Sequence, residues 1–379
     1  MTRTKLFILI VFFMQPCMAQ FRTTLERELS RDIEDYVLDD FSPIEAAFIL
    51  SGANEESRLE QYKEWYAQLM DTIRGYNLDT QDRIASASKV FAYLHGSWLI
   101  TYKEEATTLT AIVDEKRYNC VAGTILYNLV CQDLGWPTEA FETPTHTYTI
   151  FPDFGHDITV ENTSPIGFDI MRNLHDYNRY LLQFYPEDQR YQIGLDRIYA
   201  YENSKGRRIN NTELLGLLAY NRAYFANREK NYKKAYDFVL LAQMFNRDSR
   251  SNYNFEISLY YRWGQQLYER SQFQEAFSVF ADAYYRYWEN SDFAKNCKIT
   301  FNLAQRENWQ NRDWERFQQL TDEMLDLKLL DENELDGLKG YMVNWIHLYE
   351  LTKPQEELNV MTSYWQQVFP GDDLLKSYR

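Results

Sequence analysis

Residues 118–135 read YNCVAGTILYNLVCQDLG, and this stretch decides how the first half of the chain is interpreted. Apolar side chains recur in it at helical spacing, and Gly135 is a typical helix terminator. The pattern predicts a helix over 121–134 with Cys120 at its N-terminal end. The positive end of a helix dipole favours the thiolate, which is the nucleophilic form of a cysteine. Cys120 is therefore the candidate nucleophile.

Two further cysteines remain beyond the N-terminal region, Cys131 and Cys297, so the number of thiols is odd. Cys120 and Cys131 are separated by about 16.5 Å on one helix at about 1.5 Å per residue, whereas a disulfide tolerates Cα atoms only up to about 7 Å apart. We therefore assign Cys131 to packing. A bridge between Cys120 and Cys297 stays open as an alternative, and it would remove the candidate nucleophile.

A β-hairpin is predicted directly after this helix. Two stretches with alternating polarity, THTYTIF (145–151) and HDITVE (156–161), flank the turn residues PDFG. If PDFG is a four-residue loop that pairs Phe151 with His156, then His146 lies directly opposite Glu161, with Cβ atoms about 5 Å apart. The alternation places His156 on the other face of the hairpin. The hairpin thus predicts an imidazole that is oriented by a carboxylate.

The order of a helix-borne cysteine, a strand-borne histidine and an acid on the next strand resembles the transglutaminase-like cysteine-enzyme superfamily. The resemblance implies an α+β, papain-like domain over 20–202. It also implies that Cys120 is the nucleophile, His146 the general base and acid, and Glu161 the orienting carboxylate. Glu161-Asn162 stands where members commonly have Asp-Pro, so the longer side chain must fold back to reach the imidazole.

No cofactor and no metal ion is expected. The chain lacks both GxGxxG and the phosphate-binding GxxxxGK[ST] loop, and His175 and His347 have no neighbouring ligands at metal spacing. The 40 Lys and Arg residues are outnumbered by 56 Asp and Glu residues, which gives a formal net charge of −16 without a basic stripe. Binding to a phosphate backbone needs clustered positive charge, so nucleic acid is not a predicted partner.

The start of the chain, MTRTKLFILIVFFMQPCMAQ, reads as a secretory signal peptide over residues 1–19. Arg3 and Lys5 precede an apolar run that is shorter than the roughly 20 residues needed to span a bilayer. This predicts an exported protein, periplasmic or extracellular, with no membrane span after signal removal. An uncleaved anchor is the alternative interpretation.

The second half of the chain carries an internal repeat of small residues. A polar stretch, NSKGRRINNTE (203–213), is the predicted linker, and 214–379 is a predicted all-α domain similar to tetratricopeptide repeats. Two sets of small residues have the same internal spacing and lie 41 residues apart. They are Ala223, Ala235, Ala242 and Gly264, Ala276, Ala283. Such helix pairs usually present a concave face to a protein partner. A plain helical bundle stays open as the alternative.

Two main functions remain open from the sequence, beside a structural role in which Cys120 is bridged to Cys297. The first is an exported cysteine enzyme that hydrolyses amides or transfers acyl groups on peptide or protein substrates. The second is a catalytically silent scaffold that binds a protein partner through its helical repeats. The 30 tyrosines fit either function, because they can line a peptide groove or fill helix interfaces.

Overall fold

A computed structural model describes residues 22–79, 81–153, 156–173 and 205–372. The predicted signal peptide, 1–19, lies outside these residues. The chain divides into two compact units, Met1–Glu256 and Ile257–Arg379. None of the described helices is both long enough and apolar enough to cross a membrane.

The first unit begins with helices, and most of them lie where the sequence predicted them. They are α1 Thr24–Asp32, α2 Pro43–Leu50, α3 Glu56–Arg74, α4 Arg83–Ser97, α5 Leu109–Glu115 and α6 Cys120–Asp133. Capping boxes fix the start of two of them, through Thr23 before α1 and Ser42 before α2. The helix predicted over 22–41 is too long, because α1 ends at Asp32 and Tyr36 adopts a left-handed conformation with φ of 73°.

Six short strands also lie in the described part of this unit. Two of them, β1 Thr101–Tyr102 and β2 Arg117–Tyr118, form a parallel pair. The other four form an antiparallel sheet in the order β5-β4-β3-β6, built from β3 Glu139–Glu142, β4 Thr147–Asp153, β5 His156–Val160 and β6 Arg207–Ile209. A short 3₁₀ helix, Ile170–Asn173, follows β5.

Helix α6 is the centre of the first unit. Every residue from Val121 to Cys131 is buried, and α6 is contacted by α2, α4, α5, α7 and strand β4. A helix that is enclosed on all sides cannot rotate or slide without disturbing several neighbours. The position of its first residue, Cys120, is therefore fixed by the core.

The stretch predicted as a linker contains regular structure in its described part. Strand β6 pairs with β3, with Ala140 opposite Ile209, and helix α7 begins at Asn211. The arginine of β6, Arg207, forms ion pairs with Glu142 at 3.2 Å and Glu213 at 3.0 Å. The polar composition of this stretch thus reflects an edge strand whose charges are paired.

Helices make up the described remainder of the chain: α7 Asn211–Arg228, α8 Tyr232–Phe245, α9 Arg250–Glu269, α10 Phe273–Arg286, α11 Ser291–Asn311, α12 Trp314–Asp326, α13 Glu332–Thr352 and α14 Gln355–Val368. The division between the two units falls within α9. The long helices α7, α9, α11 and α13 recur at the period of the predicted repeat.

The small residues of the repeat lie at close helix contacts, as predicted. In the first unit, Ala235 and Ala242 on α8 are fully buried. In the second unit, a Cβ atom on Gly264 would lie 2.3 Å from the ring of Phe280, so no larger residue fits without a shift of that ring. Small side chains at these positions therefore allow neighbouring helices to approach.

The predicted fold class is wrong. We expected an α+β, papain-like transglutaminase-like domain followed by an all-α array, but the described chain has fourteen α-helices against six strands. The longest strand, β4, has seven residues, and β1 and β2 have two each. Alternating polarity over a few residues identifies a strand pair but does not report the size of the sheet around it. The architecture is mostly helical, with a small sheet packed on α6.

Candidate active site

Cys120 is the first residue of α6 and is partly accessible. The preceding Asn119 caps the helix, because its side chain accepts a hydrogen bond from the Ala122 N–H at 3.0 Å. The approach to the cap is fixed by the pairing of β1 with β2, in which the Lys103 N–H donates to the Tyr118 carbonyl at 2.9 Å. Local structure thus holds the thiol at the positive end of the helix dipole.

The hairpin that carries the histidine and the acid forms with a different register. The structure pairs Phe151 with Ile158 and Asp153 with His156, so the predicted pairing of Phe151 with His156 is wrong. The predicted loop residue Pro152 belongs to β4, at a point where β4 has already passed the end of β3. A proline is tolerated there because its missing N–H would face no neighbouring strand.

The register differs from the prediction by two residues, which keeps every side chain on its predicted face. His146, just before β4, and Glu161, just after β5, are therefore diagonal neighbours rather than direct partners. Their side chains still meet, with 2.7 Å between His146 Nε2 and Glu161 Oε2. The longer glutamate side chain is suited to this diagonal reach.

Glu161 is buried, the His146 side chain is only 9% exposed, and both residues are anchored by further hydrogen bonds. Glu161 is fully buried, and its second oxygen accepts from the Thr163 N–H at 3.1 Å and from the Thr163 hydroxyl at 2.6 Å. The backbone N–H of His146 donates to the Thr143 hydroxyl at 2.9 Å. The imidazole and the carboxylate are thus held in one arrangement.

Asn162 ties the end of β5 to the central helix. Its side-chain amide donates to Thr149 Oγ1 at 2.9 Å and to Thr124 Oγ1 of α6 at 3.3 Å. The Thr149 hydroxyl in turn donates to Asn128 Oδ1 of α6 at 2.5 Å. This buried polar network fixes the residue next to Glu161 against the helix that carries Cys120.

The His146 imidazole lies between the thiol and the carboxylate. Burial disfavours its protonated form, but the charge of Glu161 and the hydrogen bonds to Cys120 and Glu161 outweigh burial and raise the pKa of His146 well above its ordinary value. The structure therefore brings all three predicted residues together, in the order thiol, imidazole, carboxylate. Such a group can supply a nucleophile, a proton donor and a proton acceptor.

The other two thiols lie away from this chemistry. Cys131 and Cys297 are buried, and burial raises the pKa of each to about 12. All three described cysteines are free, so the alternative of a bridge between Cys120 and Cys297 is not found. In the described ranges, no cluster of His, Cys, Asp or Glu residues is arranged to hold a metal ion.

Cys120 and His146 open into a cleft of 450 Å³. One face of α7 forms the opposite wall, with residues Leu217, Tyr220, Asn221, Tyr224 and Phe225. Two acids, Glu104 and Glu142, also line the cleft, and among the described residues no lysine or arginine does. Glu142 is buried and paired with Arg207, so Glu104 is the exposed acid of the cleft, which is aromatic on one side.

The sequence prediction missed this wall and Tyr102, which also lines the cleft. The spacing of Leu217, Tyr220 and Tyr224 does show one apolar helical face, but we considered the tyrosines only together, as groove-lining or interface-filling residues. No sequence signal marks Tyr102, because its place depends on a parallel pair of two-residue strands. Such pairs are too short to produce a recognisable period.

Comparisons with known proteins add little. No protein-family model and no curated protein matches the chain. Among solved structures it is similar to menin, in a crystal structure described as revealing the binding site for the Mixed Lineage Leukemia (MLL) protein. The TM-score is 0.35, with 13% sequence identity over 81% of this chain and 82% of that chain. A likeness of this strength carries no argument about fold or function.

Proposed function

We propose that this protein is a cysteine enzyme that acts on amides of peptides or proteins, with Cys120 as nucleophile, His146 as general base and acid, and Glu161 as orienting carboxylate. The observation that carries the proposal is the pair of His146 and the buried Glu161, 2.7 Å apart, with the imidazole hydrogen-bonded to the thiol. The order of these residues along the chain, which resembles that of transglutaminase-like cysteine enzymes, supports it.

The first half of the reaction forms a thioester. The Cys120 thiolate attacks the amide carbonyl carbon, a carbon–sulfur bond forms, and the carbonyl electron pair moves onto oxygen. His146 then gives its proton to the amide nitrogen, the carbon–nitrogen bond breaks, and the amine leaves. The raised pKa of His146 favours this step, because the imidazolium that donates the proton is populated at neutral pH.

The second half returns the enzyme to its starting state. Water or a second amine attacks the thioester carbonyl while His146 accepts a proton, and the sulfur leaves as Cys120 thiolate. Water gives hydrolysis, and an amine gives acyl transfer. Glu161 keeps the imidazole in the tautomer and orientation that both halves require.

The cleft supports a substrate class. The face of α7 with Tyr220, Tyr224 and Phe225 offers a large apolar contact area, as aromatic side chains do in peptide-binding sites. The exposed carboxylate of Glu104 disfavours an acidic group in the same place. The substrate is therefore a peptide or protein segment with an apolar side chain near the reacting amide.

A direct test is turnover of an unstructured protein such as casein, followed by mass spectrometry. With wild type we expect new peptide termini, or, when methylamine is added, mass increases at the acyl group. Cys120→Ser, which retains nearly the same volume, should abolish both products. Equal product formation by wild type and Cys120→Ser would overturn the proposal.

We propose in addition that the enzyme is exported after removal of residues 1–19. The support is the signal pattern in the sequence, with a small-residue cleavage site ending at Ala19. N-terminal sequencing of the protein from its native source should find Gln20 as the first residue. A chain that still begins at Met1 in the cytoplasm would contradict this proposal and leave the chemistry of Cys120 untouched.

A partner-binding role of the second unit is a further proposal. Its support is the exposure of two large aromatic side chains, Tyr285 at 79% and Trp288 at 66% of their surface. Replacement of both by serine should abolish co-purification of a protein partner without changing casein turnover. If the doubly substituted protein retains its partners, this role fails.

A further inference from the structure

Tyr102 has a defined place beside the nucleophile. It ends β1, and its partner across the β1–β2 pair is Tyr118, two residues before Cys120. Tyr102 is half-buried and lines the same cleft as Cys120 and His146. A phenol is thus located at the mouth of the site, on a strand that leads into the nucleophile's helix.

Neighbouring contacts hold the ring of Tyr102 in place. It packs edge to face against Tyr118, with ring centroids 5.8 Å apart and an interplanar angle of 86°. Tyr118 is itself buried and donates a hydrogen bond to the Thr163 carbonyl at 3.2 Å. The strand around Tyr102 is fixed by the Thr101 N–H, which donates to the Lys116 carbonyl at 3.1 Å. A donor held in advance needs no reorganisation during a reaction.

Electrostatics show that the phenol lies in the field of the reacting groups. Burial raises the pKa of Tyr102, and the negative charges of Cys120 and Glu161 raise it further. The phenol is consequently protonated at neutral pH, and it is an O–H donor close to negative charge.

Attack of a thiolate on an amide places negative charge on the former carbonyl oxygen, and enzymes stabilise this oxyanion with preorganised donors. The backbone N–H of Cys120 is one donor, because the first N–H groups of a helix have no partner within that helix. One donor leaves part of the charge without compensation.

We propose that the Tyr102 hydroxyl is the second donor to this oxyanion. The inference rests on the proposed function and adds a catalytic residue to it. As the carbon–sulfur bond forms and the carbonyl electron pair moves to oxygen, the Tyr102 O–H and the Cys120 N–H both donate to that oxygen. No proton leaves Tyr102 in this step, and both hydrogen bonds are released when the carbonyl re-forms.

The test compares two reagents on wild type and Tyr102→Phe, a change that removes one oxygen and keeps the ring. Acylation of Cys120 by 4-nitrophenyl acetate passes through an oxyanion, whereas alkylation by iodoacetamide does not. We expect Tyr102→Phe to acylate about 100- to 1000-fold more slowly, with an unchanged alkylation rate. Tyr127→Phe is the matched control, because it loses a buried hydroxyl on the same helix as Cys120, outside the cleft lining. It should keep both rates.

Each result has one meaning. Equal acylation of wild type and Tyr102→Phe overturns the role of Tyr102 and leaves the proposed function standing. A parallel fall in acylation and alkylation also overturns it, because the hydroxyl would then act on the thiol rather than on the oxyanion. If wild type shows no acylation at all, the proposed function fails, and the inference falls with it. Unchanged thermal unfolding of Tyr102→Phe verifies that its fold is intact.

Discussion

At the scale of single residues, the proposed site consists of three side chains that were selected from the sequence and that the structure brings together. Cys120 could be chosen because a cysteine at a helix start is the reactive kind, and His146 and Glu161 because alternation puts them on one face of a hairpin. The supporting contacts could not be predicted. The residues NTSPIG (162–167) after β5 do indicate a turn, but they do not show that Thr163 would donate hydrogen bonds to Glu161.

The raised pKa of His146 makes the stability of the protein depend on pH. The pKa of His146 in the folded state lies above its ordinary value. The stabilisation that the protonated His146 gives is therefore fully present below the ordinary pKa, and it is lost as pH rises through the folded-state pKa. The difference in the free energy of unfolding between wild type and His146→Gln should therefore be largest at mildly acidic pH and shrink at alkaline pH. Urea unfolding at a series of pH values measures it. A difference that grows with pH would contradict the direction of the shift.

At the scale of elements, the positions of helices and strands were predicted more accurately than the pairing of the strands. The helix at α6 was predicted within one residue at each end. The hairpin was predicted with a loop that is too long, because a proline was taken to end the strand although the strand continues past the edge of its neighbour. A shift by an even number of residues preserved the site, whereas a shift by one would have moved His146 to the other face.

Asn162 should matter because it connects the hairpin to α6. Asn162→Ala removes a buried amide and leaves Thr124 and Thr149 with fewer partners. We expect a loss of about 2 kcal/mol in the free energy of unfolding, together with weaker turnover, because Glu161 is adjacent. Chemical denaturation measures the first effect. Asn77→Ala, at a solvent-exposed position, is the control that should lose neither. Wild-type stability in Asn162→Ala would show that the network does not anchor the hairpin.

The aromatic wall on α7 should set the preference among acyl groups. Tyr224→Ala removes a ring from the cleft. The rate of acylation by a 4-nitrophenyl ester of a phenylalanine derivative should therefore fall by about tenfold, because the variant loses about 1.4 kcal/mol of apolar contact with the acyl group. Reaction with 4-nitrophenyl acetate should not change. Tyr76→Ala, also an exposed tyrosine but outside the cleft lining, is the control. An equal loss with both esters would indicate general damage rather than a role in recognition.

At the scale of the whole molecule, the sequence prediction failed on fold class and succeeded on periodicity. The recurring small residues did mark a series of helices, because their spacing follows directly from helix geometry. The amount of sheet could not be deduced, because it depends on how many strands find partners far away in the chain, as β6 does with β3. The two units each have a buried core of their own.

The core of the second unit is aromatic and centred on Trp345. This side chain is fully buried against Trp309, Trp314 and Phe317. Trp345→Ala should lower the free energy of unfolding of this unit by about 3–5 kcal/mol, by creating a cavity. Trp345→Phe should cost less, because the indole N–H donates no hydrogen bond within the described structure. Urea unfolding followed by circular dichroism measures both, and equal losses would contradict this explanation.

The central claim is that His146 and Glu161 activate Cys120. Its most direct test is the rate of iodoacetamide alkylation at each cysteine at mildly acidic pH, read by peptide mass spectrometry in wild type and His146→Gln. Cys131 and Cys297 are internal references, because both are buried with a raised pKa. We predict that Cys120 alone reacts in the folded wild type, about tenfold faster than in His146→Gln. Equal rates at Cys120 in the two proteins would contradict the claim.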